Sequence, residues 1–443
     1  MPGMSEPRAR PRWQPALLLI GGTVFLLGLL AVATWERMAF QVHERTRALT
    51  AEFHTLSATS WPRPSHVTAP TPGTFVQGLE ALGPELASFK GDEGVAESGE
   101  CLDVIQGRRP VSELSSPCRK QLETHRALLG RLLRLSRTET LGHPTASQPL
   151  SHARASWDEV RELLYLAALE TRLQAEGAQS DAAVETCLDA LALARDLGAV
   201  GTYSLELSLR ATGWLFLPCQ TALARASSPR VRAASDALRH LREGWSPLSL
   251  VLQRSTVGHH LGYACVIFSP EERARLPEPY RACLKPRPSC QPHLDRQAWW
   301  FRNHTFLRGL ENDTQGIAVV DLPSAQRVPR LAALTQLRRS SWNPMLSWYR
   351  DDHGEFADKA DLQRAQMDLL LALTWVRAYR AEHGEWPQAL PALYAEGSVL
   401  RPTRLSLQPG TEDTLEVLVD DVDLAPIPAG VRASVPLRVT ARP

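Results

Sequence analysis

Lysine is scarce in this 443-residue chain, where only four of the 49 basic residues are lysines. They are Lys90, Lys120, Lys285 and Lys359. Arginine, alanine, leucine and proline all have GC-rich codons, so their abundance is typical of a GC-rich genome. We therefore assign the shortage of lysine no functional meaning.

An excess of charge is also missing, because 49 Lys and Arg residues face 48 Asp and Glu residues, giving a net charge of +1. Nucleic-acid binding proteins usually carry a marked positive excess, so the sequence predicts no nucleic-acid partner. Hydrophobic residues make up 44% of the chain, which is enough to bury a core. At about 100–200 residues per domain, the length predicts two or three structural units.

The common catalytic motifs are missing as well. The sequence contains no G-x-S-x-G, H-E-x-x-H, P-loop, G-x-G-x-x-G or C-x-x-C motif. We therefore assign no catalytic residue, no metal ligand and no cofactor. The densest acidic stretch is residues 351–358, which includes Asp351, Asp352, His353, Glu355 and Asp358. It could hold a hard cation, but the sequence favours a solvated loop whose acids stabilise the start of the next helix.

One long apolar segment is present. Residues 16–35 carry no charge and are long enough to cross a bilayer as a helix. Three arginines precede the segment, so the positive-inside rule predicts a cytoplasmic tail over residues 1–15 and export of the rest. A cleaved signal peptide is the alternative, with Ala31-Val32-Ala33 as its processing site. The length of the apolar run favours an uncleaved anchor, with the bilayer as a partner through residues 16–35.

The rest of the chain changes character several times. Apolar residues recur at helical spacing over most of it, and after Trp386-Pro387 the period changes to that of strands. The sequence predicts a mainly α protein with an N-terminal transmembrane helix, a multi-helix exported domain of helical hairpins and a small C-terminal antiparallel β-sheet. The predicted segments are a juxtamembrane helix (36–56), a Pro-rich semi-rigid linker (57–73), a helical domain (74–284), a second helical region (285–394) and the β-sheet (395–443).

The clearest helical hairpin covers residues 156–177 and 180–198, and a third helix is predicted over 202–226. Pro218 should kink or break that third helix. The last long helix is predicted over 358–383, where Gly384 can end it in a left-handed conformation.

Seven cysteines are present in a chain predicted to be exported to an oxidising compartment. Proximity in sequence favours two disulfides, Cys101–Cys118 and Cys283–Cys290. An odd count leaves at least one thiol free. The remaining cysteines lie on apolar helical stretches and are predicted to be small core residues: Cys187, Cys219 and Cys265.

Residues 378–390, AYRAEHGEWPQAL, resemble the segment that joins a helix to the C-terminal sheet in type II secretion pseudopilins. The order of elements agrees with that resemblance. However, the apolar segment opens Gln14-Pro15-Ala16-Leu17 and lacks the prepilin processing site, so assembly into a pilus is not implied. Together with Asn343-Pro344 and the stretch 187–195, the segment is also similar to uncharacterised bacterial proteins with one N-terminal span and a helical exported domain. That resemblance implies architecture and little chemistry.

The leading functional hypothesis is a non-catalytic scaffold or partner-binding protein of the cell envelope. It would lie in a bacterial inner membrane as a single-pass protein with a periplasmic C-terminal domain and would bind an envelope protein. The alternative is a periplasmic hydrolase whose site is assembled from scattered residues, with residues 351–358 as its candidate location. An enzyme should show a polar pocket with paired titratable groups, and a scaffold an exposed apolar patch or groove.

Overall fold

The structure is a computed structural model, and it describes most of the chain. The described residues are 14–58, 63–89, 99–142, 154–281, 299–341, 353–391, 403–411, 413–420 and 436–442, together with 393, 424, 425, 427 and 432.

The described residues form a mainly helical protein, which confirms the predicted fold class. The α-helices are α1 (Gln14–Ala58), α2 (Phe75–Ser88), α3 (Gly99–Ile105), α4 (Ser116–Leu135), α5 (Arg154–Glu176), α6 (Ser180–Gly198), α7 (Thr202–Arg225), α8 (Ser228–Glu243), α9 (Leu248–Ile267), α10 (Pro270–Arg273), α11 (Trp299–Val320), α12 (Ser324–Arg339) and α13 (His353–His383). The strands are β1 (Thr71–Thr74), β2 (Thr138–Thr140), β3 (Leu405–Pro409), β4 (Leu415–Val419) and β5 (Arg438–Ala441).

Helix α6 lies at the centre of the main core. It packs against α5 and α7 and also contacts α4 and α8. Nearly all of its residues from Ala183 to Gly198 are buried. Ala190, Ala192 and Ala194 are small enough to let neighbouring helices approach closely on several sides, which is why one helix can be surrounded.

The predicted hairpin and third helix are present as α5, α6 and α7, and Pro218 lies inside α7 without ending it. Helix α13 crosses this core, burying most residues between Asp361 and Val376 against α7 and α8. It ends at His383, and Gly384 follows with φ of 77°, so the predicted left-handed helix end is confirmed.

The C-terminal sheet is antiparallel in the order β3-β4-β5 and packs on α13. Val417 lies between Leu407 and Val439 in the register, and both Val417 and Val439 are fully buried. This alternation is the pattern expected of a sheet with one buried face. A short parallel pair, β1 with β2, was not predicted from the sequence.

Helix α1 is unbroken over 45 residues. Its apolar half is exposed, with Leu19 at 72% and Phe25 at 66%. Its second half docks on α9 and α11. Within the described residues, one helix is long and apolar enough to cross a membrane, and it is this one.

The linker prediction for residues 57–73 differs from the structure over its second half. Arg63 forms an ion pair with Asp196 at 2.5 Å, and His66 approaches Asp189 at 2.8 Å. All four of these side chains are largely buried. This stretch is therefore attached to α6 by charge pairs that depend on residues more than 100 positions away, which its own proline-rich composition does not reveal.

Two disulfides join described residues. Cys101 pairs with Cys118, as the sequence favours, with Cα atoms 6.1 Å apart. Cys187 pairs with Cys219 across α6 and α7, with Cα atoms 5.5 Å apart. Both are buried in the core, as predicted, but their pairing was not predicted, because helical spacing could not show that their two faces meet. Cys265 is disulfide-bonded too, while Cys283 and Cys290 lie outside the described residues.

Candidate functional site

A pocket of about 290 Å³ lies where α7, α8, α9, α11 and α13 meet. Its walls combine aliphatic side chains, one tryptophan and four charged groups. The lining residues that matter here are Leu205, Arg242, Trp245, Leu248, Val320, Asp321, Ala357, Ala360, Asp361, Arg364 and Met367. Its volume is at the lower end of the range for small-molecule sites, so it suits one side chain or a small ligand.

Most charges around this pocket are paired. Arg327, itself 1% exposed, donates from Nη2 to Asp358 Oδ1 and to Asp361 Oδ2, both at 2.8 Å. Arg364 Nη1 lies 2.9 Å from the other oxygen of Asp361. These two arginines and two aspartates balance one another in charge.

A second neutral pair lies on the α8 side of the pocket. Arg242 Nε donates to Asp368 Oδ1 at 3.2 Å. The other oxygen of Asp368 accepts a hydrogen bond from the backbone N–H of Thr403 at 2.8 Å. Both oxygens of this fully buried carboxylate therefore have hydrogen-bond partners. Buried carboxylates need such partners, since an unpaired one would carry a large desolvation cost.

Asp321 is the exception among the pocket charges. It follows the last residue of α11, and its Oδ2 accepts the backbone N–H of Ser249 at 3.3 Å. Within the part of the chain that the structure describes, it has no cationic partner. Asp321 is exposed at the edge of the pocket, and its contact with Ser249 places it at the first turn of α9, where a carboxylate is stabilised.

The acidic stretch 351–358 does not assemble a metal or catalytic site in the described residues. Asp351 and Asp352 lie outside them, and Glu355 pairs with Lys359 at 2.6 Å. Asp358 turns inward to Arg327; burial raises the pKa of this carboxyl, and the hydrogen bond from Arg327 opposes the rise. Among the described residues no group of three His, Cys, Asp or Glu side chains could hold a metal ion.

The interface between α1 and the body is a second notable region. Val42, Thr46 and Leu49 lie on one face of α1 and are buried. His43 Nε2 lies 3.1 Å from Glu272, and its ring stacks on Phe268 at 4.8 Å. Burial alone would raise the pKa of Glu272, but hydrogen bonds from Ser269 and the neighbouring His43 and Arg275 outweigh it, so that the pKa is lowered.

The contacts between α1 and α9 show in which relative direction these two helices run. Further along α1, Glu52 accepts a hydrogen bond from Gln253 at 2.5 Å. Because α1 advances from His43 to Glu52 as its partner goes back from Phe268 to Gln253, α1 and α9 are antiparallel. The C-terminal end of α9 thus lies nearest the apolar half of α1.

Behind this interface, His260 and Asp313 form a buried pair at 3.0 Å between α9 and α11. His260 also packs edge-on against Phe306 at 5.4 Å. At 3% exposure, His260 joins two helices inside an aromatic cluster and is not presented to solvent.

No family model, curated protein or solved structure matches the chain.

The pocket brings together residues that the sequence analysis did not single out. Arg242 lies in α8, Trp245 in the connection from α8 to α9, and Asp321 in the connection from α11 to α12. Only Asp358 had been noted, as part of the acidic stretch, and it lies behind the pocket wall. A lone Asp directly after an apolar helix end is too common a signal to have identified the pocket.

Proposed function

We propose that the protein is a non-catalytic, membrane-anchored scaffold or partner-binding protein of the cell envelope. In this proposal residues 16–35 cross a bacterial inner membrane, and the helical body lies on the periplasmic side. The observation that carries the proposal is the unbroken helix α1, which is exposed over its apolar half and packs one face of its other half on the body.

The position of the first buried residue of α1 sets the distance between the apolar segment and the body. Val42 follows Trp35 by seven positions, so docking begins only about 10 Å beyond the apolar segment at 1.5 Å per residue. A body attached this closely is held at a fixed height and orientation beside the bilayer. That suits a protein that must present a surface to an envelope partner.

The chemistry of the pocket also supports a binding role. Its titratable groups are mostly neutralised in ion pairs, which hold the helices in place and are poorly suited to proton transfer. A single charge without an ion-pair partner among the described residues, beside aliphatic walls, is better suited to binding a ligand than to catalysis. We therefore place partner binding at this pocket.

In-cell photo-crosslinking tests the proposal on the full chain. A crosslinking residue would be placed at Ser246 on the pocket wall, followed by membrane extraction and mass spectrometry, with Asp420, in the C-terminal sheet region, as the control position. We expect a reproducible, stoichiometric envelope protein from the first position only. Recovery of the protein alone from both positions would contradict the proposal. Peptides beginning before or after Ala33 would show whether the anchor is retained.

A further inference from the structure

We infer that the pocket takes a lysine-type side chain, an alkylammonium group on an aliphatic stem, presented by a protein partner. This inference deepens the proposed function and rests on it for the source of the side chain. It concerns the chemistry of the ligand, which the proposed function leaves open.

The sign of the ligand charge follows from the ion pairs. Arg242 and Arg364 line the pocket but are engaged by Asp368 and Asp361, so they offer little net attraction to an anion. Asp321 retains a carboxylate oxygen for which no partner exists among the described residues. Among the described residues Asp321 is thus the one lining charge without an ion-pair partner, and its free carboxylate oxygen favours a cation.

The shape of the ligand follows from the walls. Leu205, Leu248, Val320, Ala357 and Met367 line the interior with aliphatic surface, and Asp321 lies at the exposed edge. A lysine side chain has this division, with an apolar stem and a charged tip that keeps contact with water. Trp245 adds an aromatic ring, a group that attracts ammonium ions when they lie over its face.

The test compares two probes on the full chain in lipid nanodiscs, with empty nanodiscs as the blank. N-acetyl-lysine N-methylamide carries the charge, and its norleucine counterpart has a stem of similar shape without the charge. We expect the lysine probe to bind about three to five times more tightly, the range for a partly exposed ion pair. Calorimetry or ligand-observed NMR would give the ratio.

Two variants locate the binding. Asp321→Asn keeps an acceptor for Ser249 and should reduce lysine-probe binding to the norleucine level, while Asp420→Asn should change nothing. Ala360→Phe should fill the pocket and abolish binding of both probes. Thermal unfolding of each variant checks that the fold is retained.

Equal binding of the two probes, no binding of the lysine probe, or tighter binding of an N-acetyl-glutamate probe would overturn the inference. A partner crosslinked equally by the parent chain and by Asp321→Asn would also overturn it, while leaving the proposed function intact. Binding of the lysine probe without any crosslinked partner would support the pocket chemistry and contradict the proposed function.

Discussion

The central region, α5 to α8 with α13, and the α1 region, α1 with α9 and α11, are held together by different means. In the central region a disulfide joins α6 to α7, and charged pairs lie deep inside, with Asp196 at 1% and Arg195 at 2% exposure. In the α1 region the contacts are mainly apolar and aromatic, with one buried pair, His260 and Asp313. Helices of the two regions therefore alternate along the same chain.

The difference has consequences for how each region fails. A buried ion pair contributes little net stability while it is intact but is costly to break on one side only. The stability that apolar packing provides falls in proportion to the buried apolar surface that a substitution removes. We expect the central region to respond abruptly to loss of a single charge. We expect the α1 region to respond gradually and to release α1 before the rest unfolds.

The largest expected effect comes from Asp196→Ala. This change leaves Arg195 and Arg63 without their shared carboxylate. Burial already lowers the pKa of Arg195, and the neighbouring Asp196 opposes that effect. We expect a loss of about 3–5 kcal/mol in the free energy of unfolding, measured by urea denaturation of the solubilised protein.

The matched control is Asp236→Ala, which removes an exposed ion pair with Arg239 on α8. Such pairs contribute roughly 0–1 kcal/mol, so this variant should unfold almost like the parent chain. Similar losses for the two variants would show that the buried pairs do not distinguish the central region.

Local patterns in the sequence predicted much of the central region. Helical spacing located α5, α6 and α7, and Gly384 marked the end of α13, because these features depend on neighbours within a few positions. The strands β3 and β4 also followed from alternation. Such signals are carried by the local chain itself.

The pocket and the attachment of residues 63–66 could not be predicted in this way. His66 and Asp189 are separated by 123 positions, and Arg242 and Asp368 by 126. Long-range pairs of this kind depend on how helices meet, and a single sequence does not record that. The same limit explains why Cys187 and Cys219 were each placed on an apolar face without being paired.

A smaller effect is expected from Leu49→Ala in the α1 region. Leu49 is 3% exposed and packs in the cluster formed with α9 and α11. Truncating a buried leucine to alanine usually costs about 2–5 kcal/mol of stability. Here we expect this loss mainly to weaken the packing of α1 on the body. Hydrogen exchange should increase in α9 and in the second half of α1 and stay unchanged in α6.

Phe40→Ala serves as the control for that experiment, since Phe40 lies on the same helix and is 65% exposed. It should leave exchange in α9 unchanged. Faster exchange in α6 of the Leu49→Ala variant would contradict the separation of the two regions.

The smallest expected effect is a loss of stability at alkaline pH that is confined to the α1 region. Burial raises the pKa of Tyr263 to about 12 and that of Tyr280 to about 12, from the ordinary value of 10.0. Tyr263 stacks with Phe306, and Tyr280 meets Phe53 of α1 edge-on at 5.6 Å. The folded state holds both phenol protons more tightly than the unfolded state does.

The sign of the pH dependence follows from that difference. Stabilisation by the neutral phenols is complete below pH 10.0 and is lost as pH rises toward about 12, because only the unfolded state gains by ionising in that interval. We expect hydrogen exchange in the second half of α1 to rise across this interval, beyond the general increase seen in α6. The double variant Tyr263→Phe and Tyr280→Phe should lose the additional rise. If α1 in that variant still loosened as in the parent chain, the two tyrosines would not be its cause, and the alkaline contrast between the regions would have to come from other groups.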